Sequence, residues 1–367
     1  MLLVLLAAPA AHGRRSVHVE GSALFGYAGP ESVQLQPQDD RELATLGELV
    51  EVSSGNTYCL RYAHTADLLG DQVVVYGGET RGNYSQLATT TQLITFDPRR
   101  MTWRQPALMP EVEPPARYYH ATAVVVANGT DERLLLFGGF MQNDTALDDT
   151  WLLTPELDWI RVLGAAPPPR AGHTLVVTPD GAGVVLFGGL NTSKQLLNDV
   201  WYFDLTELRW HELRVPDAPA PRAFHLAFRH QDGIFILGGC LGVSSVYELT
   251  ESINICVHRT SEFLQFYPAP LNRSGHFIEP DIGASRSNLL PLVWAKSVHF
   301  ASLETTIVMG GQNDDGLVMS DVWLEYHQGQ WSTHRLPSTA ALVPDARRRS
   351  SEMEEIRKSE EEEEKNE

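Results

Sequence analysis

The sequence predicts an all-β fold, a six-bladed β-propeller followed by a disordered acidic C-terminal tail, and three recurrences predict it. The first is a basic residue three places before a histidine, at Arg15/His18, Arg61/His64, Arg117/His120, Arg170/His173, Arg222/His225 and Lys296/His299. The second is a short apolar run ending in paired glycines, at Gly77-Gly78, Gly138-Gly139, Gly188-Gly189, Gly238-Gly239 and Gly310-Gly311. The third is an aspartate two places before a tryptophan, at Asp149/Trp151, Asp199/Trp201 and Asp321/Trp323, ten residues past the second glycine. The six histidines lie 46, 56, 53, 52 and 74 residues apart. A period of about 50 residues marks stacked supersecondary units rather than independent domains.

Each unit reads as four strands. The strand after the histidine comes first and the Gly-Gly strand second. Runs such as Leu134 to Phe137 are short and wholly apolar, as befits strands buried on both faces. The glycine pair permits positive φ and close backbone approach where the second strand ends. The Asp-x-Trp strand is third. The fourth carries another aromatic, read as Trp103, Trp159, Trp210, Phe263 and Trp331. No stretch sustains a helical period, so helix content is expected to be small.

These units resemble the Kelch repeat, each copy of which forms one propeller blade. The resemblance covers roughly residues 14 to 337. Unit one lacks the Gly-Gly pair, units one, two and five lack Asp-x-Trp, and Lys296 stands where the other units have arginine. The chain is accordingly divided into a signal-peptide-like leader at 1–11, a propeller at 12–337 and a charged tail at 338–367.

Composition narrows the function. The net charge is −19, and residues 351–367 alone hold nine Glu against Arg357, Lys358 and Lys365. Such a run is expected to be solvated and disordered, and it excludes nucleic acid as the natural partner, since phosphate binding wants basic clusters. No run reaches the roughly 18 apolar residues of a membrane span. The start, Met1 to Ala10, has the apolar stretch and small-x-small ending of a secretory leader but no basic n-region. A buried first strand or a truncated start remains the alternative reading. Five sequons, at Asn83, Asn128, Asn143, Asn191 and Asn272, all fall in expected loops and favour passage through the secretory pathway. Of the three cysteines, Cys240 and Cys256 are the pair that could bridge, with Cys59 left over; three free buried thiols is the other reading.

Antiparallel alternation sorts the loops. The strand-two-to-three loops and the crossings between blades share one face, here called the loop face. Asn83, Asn143, Asn191 and Asn272 are assigned to that face, with the insertion placed at about Tyr267 to Ala295, and Asn128 to the opposite one. The repeated Arg and His residues are expected chiefly to build blade starts and bridge neighbouring blades, because every unit carries them. Asp149, Asp199 and Asp321 are expected to hold turn amides. The Kelch resemblance implies ligand contacts beside the signature, for which Arg61, Arg117, Tyr118, Tyr119, Arg170, Arg222 and Phe224 are the candidates.

The function expected is a non-catalytic, secreted or lumenal propeller that binds a protein or a glycan, with no cofactor. Some Kelch propellers carry a copper-radical oxidase site built from Tyr, Cys and two His; here His211, His230, His258, His276, His327 and His334 show no ligand spacing. A cytosolic adaptor, such as one presenting substrates to a ubiquitin ligase, is the remaining alternative.

Overall fold

The computed structural model describes residues 61–335, apart from 82–86, 90–92, 101, 107–112, 128, 231–232, 245–255, 301–304 and 313–321. Unit one, the leader, the tail, Cys59, Asn83, Asn128 and Asp321 lie outside the described residues. Among the described residues five four-stranded antiparallel blades are formed, where the sequence predicts six.

Blade I comprises Thr65–Leu69, Gln72–Tyr76, Ile94–Asp97 and Thr102–Arg104, and blade II Ala121–Ala127, Asp131–Phe137, Thr150–Leu153 and Trp159–Val162. Blade III comprises Thr174–Val177, Gly183–Phe187, Val200–Asp204 and Arg209–Leu213. Blade IV comprises Leu226–His230, Gly233–Leu237, Phe263–Ala269 and Ser274–Ile278, and blade V Lys296–Phe300, Thr305–Met309, Val322–His327 and Gln330–Arg335. The helices among the described residues are two 3-10 turns, Pro270–Asn272 and Gly283–Asn288.

The core lies between blades rather than within them. Phe137 of blade II packs against Trp210 of blade III at 5.2 Å between ring centroids, Tyr76 against Trp159 at 5.0 Å, and Phe187 against Phe277 at 5.3 Å. The fourth-strand aromatic of one blade thus covers the end of the previous blade's second strand. Trp210 also donates its indole N–H to Thr150 Oγ1 of blade II at 2.9 Å. Burying roughly 200 Å² of such a ring contributes about 5 kcal/mol at ~25 cal/mol per Å², an upper bound.

Four readings of the repeat are corrected here. Phe263 opens the third strand of blade IV opposite Leu237, and Phe277, opposite Phe266, is the fourth-strand aromatic. The long insertion lies between the second and third strands of blade IV, where Cys240–Val243 pairs with Cys256–Arg259, and not at Tyr267–Ala295. The Lys296/His299 match is out of step. In blade V the bridge Val293↔Gln312 corresponds to Tyr118↔Phe140 and Ala171↔Leu190, so Leu292 and Ala295 occupy the arginine and histidine places. The coincidence of spacing hid this, because Lys296 and His299 lie four residues further along, inside the strand itself. Trp323 likewise faces Met309, the place that Thr150 and Val200 hold opposite Phe137 and Phe187, one residue out of register with the other Asp-x-Trp units.

Both glycines of every pair have positive φ. At Gly188 a Cβ would lie 2.6 Å from the carbonyl oxygen of Arg222 in the next blade. Gly181 has a similar φ, +71, but open space where its Cβ would go. Gly181→Ala should therefore cost only the left-handed penalty of about 1 kcal/mol. Gly188→Ala should cost about 3 kcal/mol or more, since backbone must move as well. Urea denaturation of the two variants checks this; equal losses would show that the inter-blade approach does not constrain the fold.

Candidate functional site

Where blades meet, the repeated side chains form one constellation. The guanidinium of Arg117 donates to the Gly138 carbonyl at 2.8 Å and to both carboxylate oxygens of Asp149 at 2.7 Å. Asp149 also accepts the Trp151 indole N–H at 2.7 Å. Arg170 repeats the arrangement with Gly188, Asp199 and Trp201. The fork geometry of guanidinium matches a carboxylate in two parallel bonds, which a lysine cannot copy. In blade IV, Arg222 pairs instead with Glu262, whose carbonyl accepts the Gly238 amide as Asp149 and Asp199 accept those of Gly138 and Gly188. Sequence reading missed Glu262 because the insertion displaces it from the ten-residue spacing. The Asp149 and Asp199 side chains hold arginine and indole, not turn amides as the sequence suggested.

The arginine carbonyls work across the blade boundary. Arg117, Arg170 and Arg222 accept the amides of Gly78, Gly139 and Gly189 of the preceding blade, each at 2.8 Å. The histidines lie against the first glycine of that same preceding pair: the ring Cε1 of His120 would sit 2.8 Å from a Cβ on Gly77, and that of His173 3.0 Å from one on Gly138. His120 and His225 hydrogen-bond Thr65 and Thr174 of the preceding blade at 3.0 and 2.9 Å. Burial, reinforced by the adjacent arginine, drives His64 and His225 down to about 3 and holds His120 and His173 well below the usual imidazole range. Burial alone would raise Asp149 and Asp199, but the arginine and tryptophan donors outweigh it and hold both below the usual carboxylate range.

Between arginine and histidine, one residue per repeat is left-handed: Ala63, Tyr119, Gly172, Phe224 and Trp294, with φ from 52 to 64°. The conformation costs a residue with a side chain roughly 1–2 kcal/mol. It turns the backbone so that the amides of Tyr119, Gly172, Phe224 and Trp294 each donate to the carbonyl of the preceding member, at 2.7 to 3.0 Å. The rings of Tyr119 and Phe224 meet at 4.8 Å although blade III lies between them, and Phe224 meets Trp294 at 5.4 Å. Contact between non-neighbouring blades places these rings at the propeller axis. Gly172 allows it, because its Cβ would strike the Phe224 ring at 2.6 Å.

This apolar cluster also takes in Tyr118, Phe140, Val293 and the Cys240–Cys256 disulfide, whose Cα atoms are 5.6 Å apart and whose cysteines are buried. At its edge Tyr118 donates its hydroxyl to Asp144. Lys194 lies 3.5 Å from the Asp144 carboxylate and 4.1 Å over the Phe140 ring.

Comparison with known proteins agrees with this geometry. The Attractin/LZTR1 β-propeller family model matches residues 45–267, more than half of the chain. The chain belongs to this family. Similar relatives include the flagellar outer-arm dynein alpha chain of Chlamydomonas reinhardtii, 31% identical over 55% of this chain and 5% of its own length. Beta-scruin of Limulus polyphemus is 30% identical over 56% of this chain and 22% of its own. An F-box/kelch-repeat protein of Arabidopsis thaliana is 30% identical over 49% of this chain and 40% of its own. The chain thus spans well under half of each of these relatives. The solved structure of YjhT superposes with a TM-score of 0.57 at 14% identity, covering 75% of this chain and 84% of that one, a likeness of fold.

Within this Attractin/LZTR1-type propeller the residues singled out from sequence divide sharply. Arg117, Arg170 and Arg222 are fully buried and committed to blade assembly, and Arg61 is buried with its guanidinium on the Gly77 carbonyl at 3.2 Å. Tyr118 and Phe224 are buried, whereas Tyr119 is half-buried at the axis. Asn143 and Asn191 sit in the strand-two-to-three loops of blades II and III, the first exposed and the second half-buried. Asn272 is exposed in the hairpin between the third and fourth strands of blade IV, not in a crossing between blades, so it moves off the loop face. Among the described residues no three His, Cys, Asp or Glu side chains gather as a metal site, and no helix is long and apolar enough to cross a membrane.

Two outcomes follow from the seams. Arg170→Lys should cost about 3 kcal/mol in urea unfolding, because the fork to Asp199 and Gly188 is lost inside the protein, whereas Arg99→Lys on an exposed pair should cost under about 1. A loss as small at Arg170 as at Arg99 would remove the fork's structural role. The second outcome concerns acid. The four seam histidines have folded pKa values below the unfolded value of about 6.5, so the unfolded chain takes up protons first as pH falls. Their stability is intact above about pH 6.5 and drains below it, by about 1.4 kcal/mol per histidine for each pH unit, until the folded values are reached. Thermal unfolding at pH 7.5, 6 and 5 should show a steep fall in Tm, blunted by His225→Phe; a flat profile would contradict it.

Proposed function

We propose that the chain is a non-catalytic binding propeller of the secretory pathway or extracellular space that recognises a protein or glycan on its loop face. One observation carries this reading: the repeated Arg, His and Asp side chains are spent on building blades, while the axial position on the loop face varies freely as Ala, Tyr, Gly, Phe and Trp. Rigid scaffold and variable loops suit recognition. The same reading takes unit one, 14–60, as a sixth blade and the charged tail as a solvated extension.

The secretory setting draws support from the buried Cys240–Cys256 bridge, from exposed sequon asparagines Asn143 and Asn272, and from the leader-like start. An adaptor outside the secretory pathway is the second reading, supported by the name of the F-box/kelch-repeat relative.

Expression of the full chain in secretory cells tests the proposal. Treatment with an endoglycosidase should increase mobility on a gel, and the Cys240–Cys256 bridge should persist on non-reducing peptide mapping. An unshifted, cytosolic protein with free thiols would transfer the argument to the adaptor reading. Stoichiometric copper uptake with a radical-type absorbance would overturn the non-catalytic assignment.

A further inference from the structure

We infer that the loop-face end of the propeller axis is a carbohydrate-stacking collar, built from the aromatic side chains at the left-handed position, with Tyr119 and Trp294 as its open faces. The inference rests on the binding-module reading and names its ligand class. Backbone geometry dictates the starting point. The left-handed position takes positive φ in every described repeat, and from Tyr119 onward its amide continues the chain of hydrogen bonds around the axis. Glycine satisfies that demand without strain, and Gly172 shows that the ring accepts it. Tyrosine, phenylalanine and tryptophan at positive φ are outliers, and such strain points towards use of the side chain.

Packing accounts for only part of the set. Phe224 is 5% exposed and fills the space above Gly172, so its ring is a support. Tyr119 and Trp294 lie on either side of it at 4.8 and 5.4 Å and, unlike it, stay only half-buried. Next to Tyr119, whose ring lies 5.3 Å from that of Tyr118, stand the Asp144 carboxylate, which accepts the Tyr118 hydroxyl, and the Lys194 ammonium over Phe140, on neighbouring loops and both left-handed at φ 60 and 61°. Lys194 is pulled below its usual range by burial, with Asp144 opposing the shift. Flat aromatic surface bordered by one acceptor and one donor fits a pyranose: its axial C–H face stacks on a ring while its hydroxyls meet the charged pair. A peptide anchor would want a deeper apolar socket, which the mutual contact of Tyr119, Phe224 and Trp294 fills.

The test uses the full glycosylated chain and an array of defined neutral and acidic oligosaccharides, followed by calorimetric titration of the best-retained sugar. Expected is saturable binding that falls at least tenfold in Tyr119→Gly and in Trp294→Gly, and that Tyr119→Phe retains. Because glycine relieves strain, both glycine variants should melt within a few degrees of wild type, which separates lost binding from lost fold. Tyr119→Gly alone decides if Trp294→Gly proves unstable. The collar is overturned if wild type retains no oligosaccharide, or if a retained sugar binds the glycine variants equally well; in the latter case the binding-module reading stands. Mass spectrometry of the released sugar separates the two ideas from the other side, since a chemically altered sugar ends the non-catalytic reading and leaves the collar intact.

Discussion

The structure depends on one backbone interaction, the amide of the left-handed residue donating to the carbonyl of the same residue in the repeat before it, in four of the five described repeats. Four such bonds link Ala63, Tyr119, Gly172, Phe224 and Trp294 around the axis. A single bond of this kind contributes about 1 kcal/mol. Its consequence is geometric. Once the left-handed turn is made, the arginine before it and the histidine after it are delivered to opposite sides of the same seam. The arginine carbonyl then reaches the second glycine of the preceding blade, and the imidazole lies on the first.

That delivery explains why the seam admits so few residue types. A carboxylate opposite the guanidinium satisfies its fork, and Glu262 serves where Asp149 and Asp199 serve elsewhere. An imidazole fits over a glycine because it is flat, and its ring nitrogen can still find Thr65 or Thr174. Breaking one member leaves a buried polar group without its partner, so the members are retained together. Blade V shows the other stable solution. Leu292 and Ala295 replace the whole Arg–His pair with apolar side chains, Leu292 still gives its carbonyl to Gly239, and Leu289, Leu292 and Ala295 join the core with Trp331. Removing both partners of a polar pair is tolerated where removing one is not.

Much of this was legible in the sequence, for a physical reason. Glycine pairs, Asp-x-Trp and the basic-x-x-His spacing are each imposed by a contact between blades, so they recur at the period of a blade. Asn272, Phe263 and Glu262 were misplaced or missed together, because the insertion between Cys240 and Arg259 breaks the count and the later positions of blade IV inherit the error. The Lys296/His299 match failed differently: a spacing of three between two common residues arises by chance, and only the bridge Val293↔Gln312 shows where the turn lies. Of the axial aromatics, Tyr119 and Phe224 were named as contact candidates and Trp294 was missed, because nothing in their spacing announces positive φ. Tyrosine and tryptophan there are the last residues that local preference would choose.

That last point separates two duties usually fused in a binding site. At the axis the main chain does the structural work, and takes the same left-handed turn at Ala63, Gly172 and Trp294. The side chain is therefore released from any part in holding the blades, and can change without disturbing the seam. At the seam the division is reversed: guanidinium, imidazole and carboxylate are fixed, and no surface is left for a ligand. A propeller built this way places its least constrained side chains at the one point where all blades converge. Recognition can diversify there while Arg117, Arg170 and Arg222 stay buried and unchanged a few residues away.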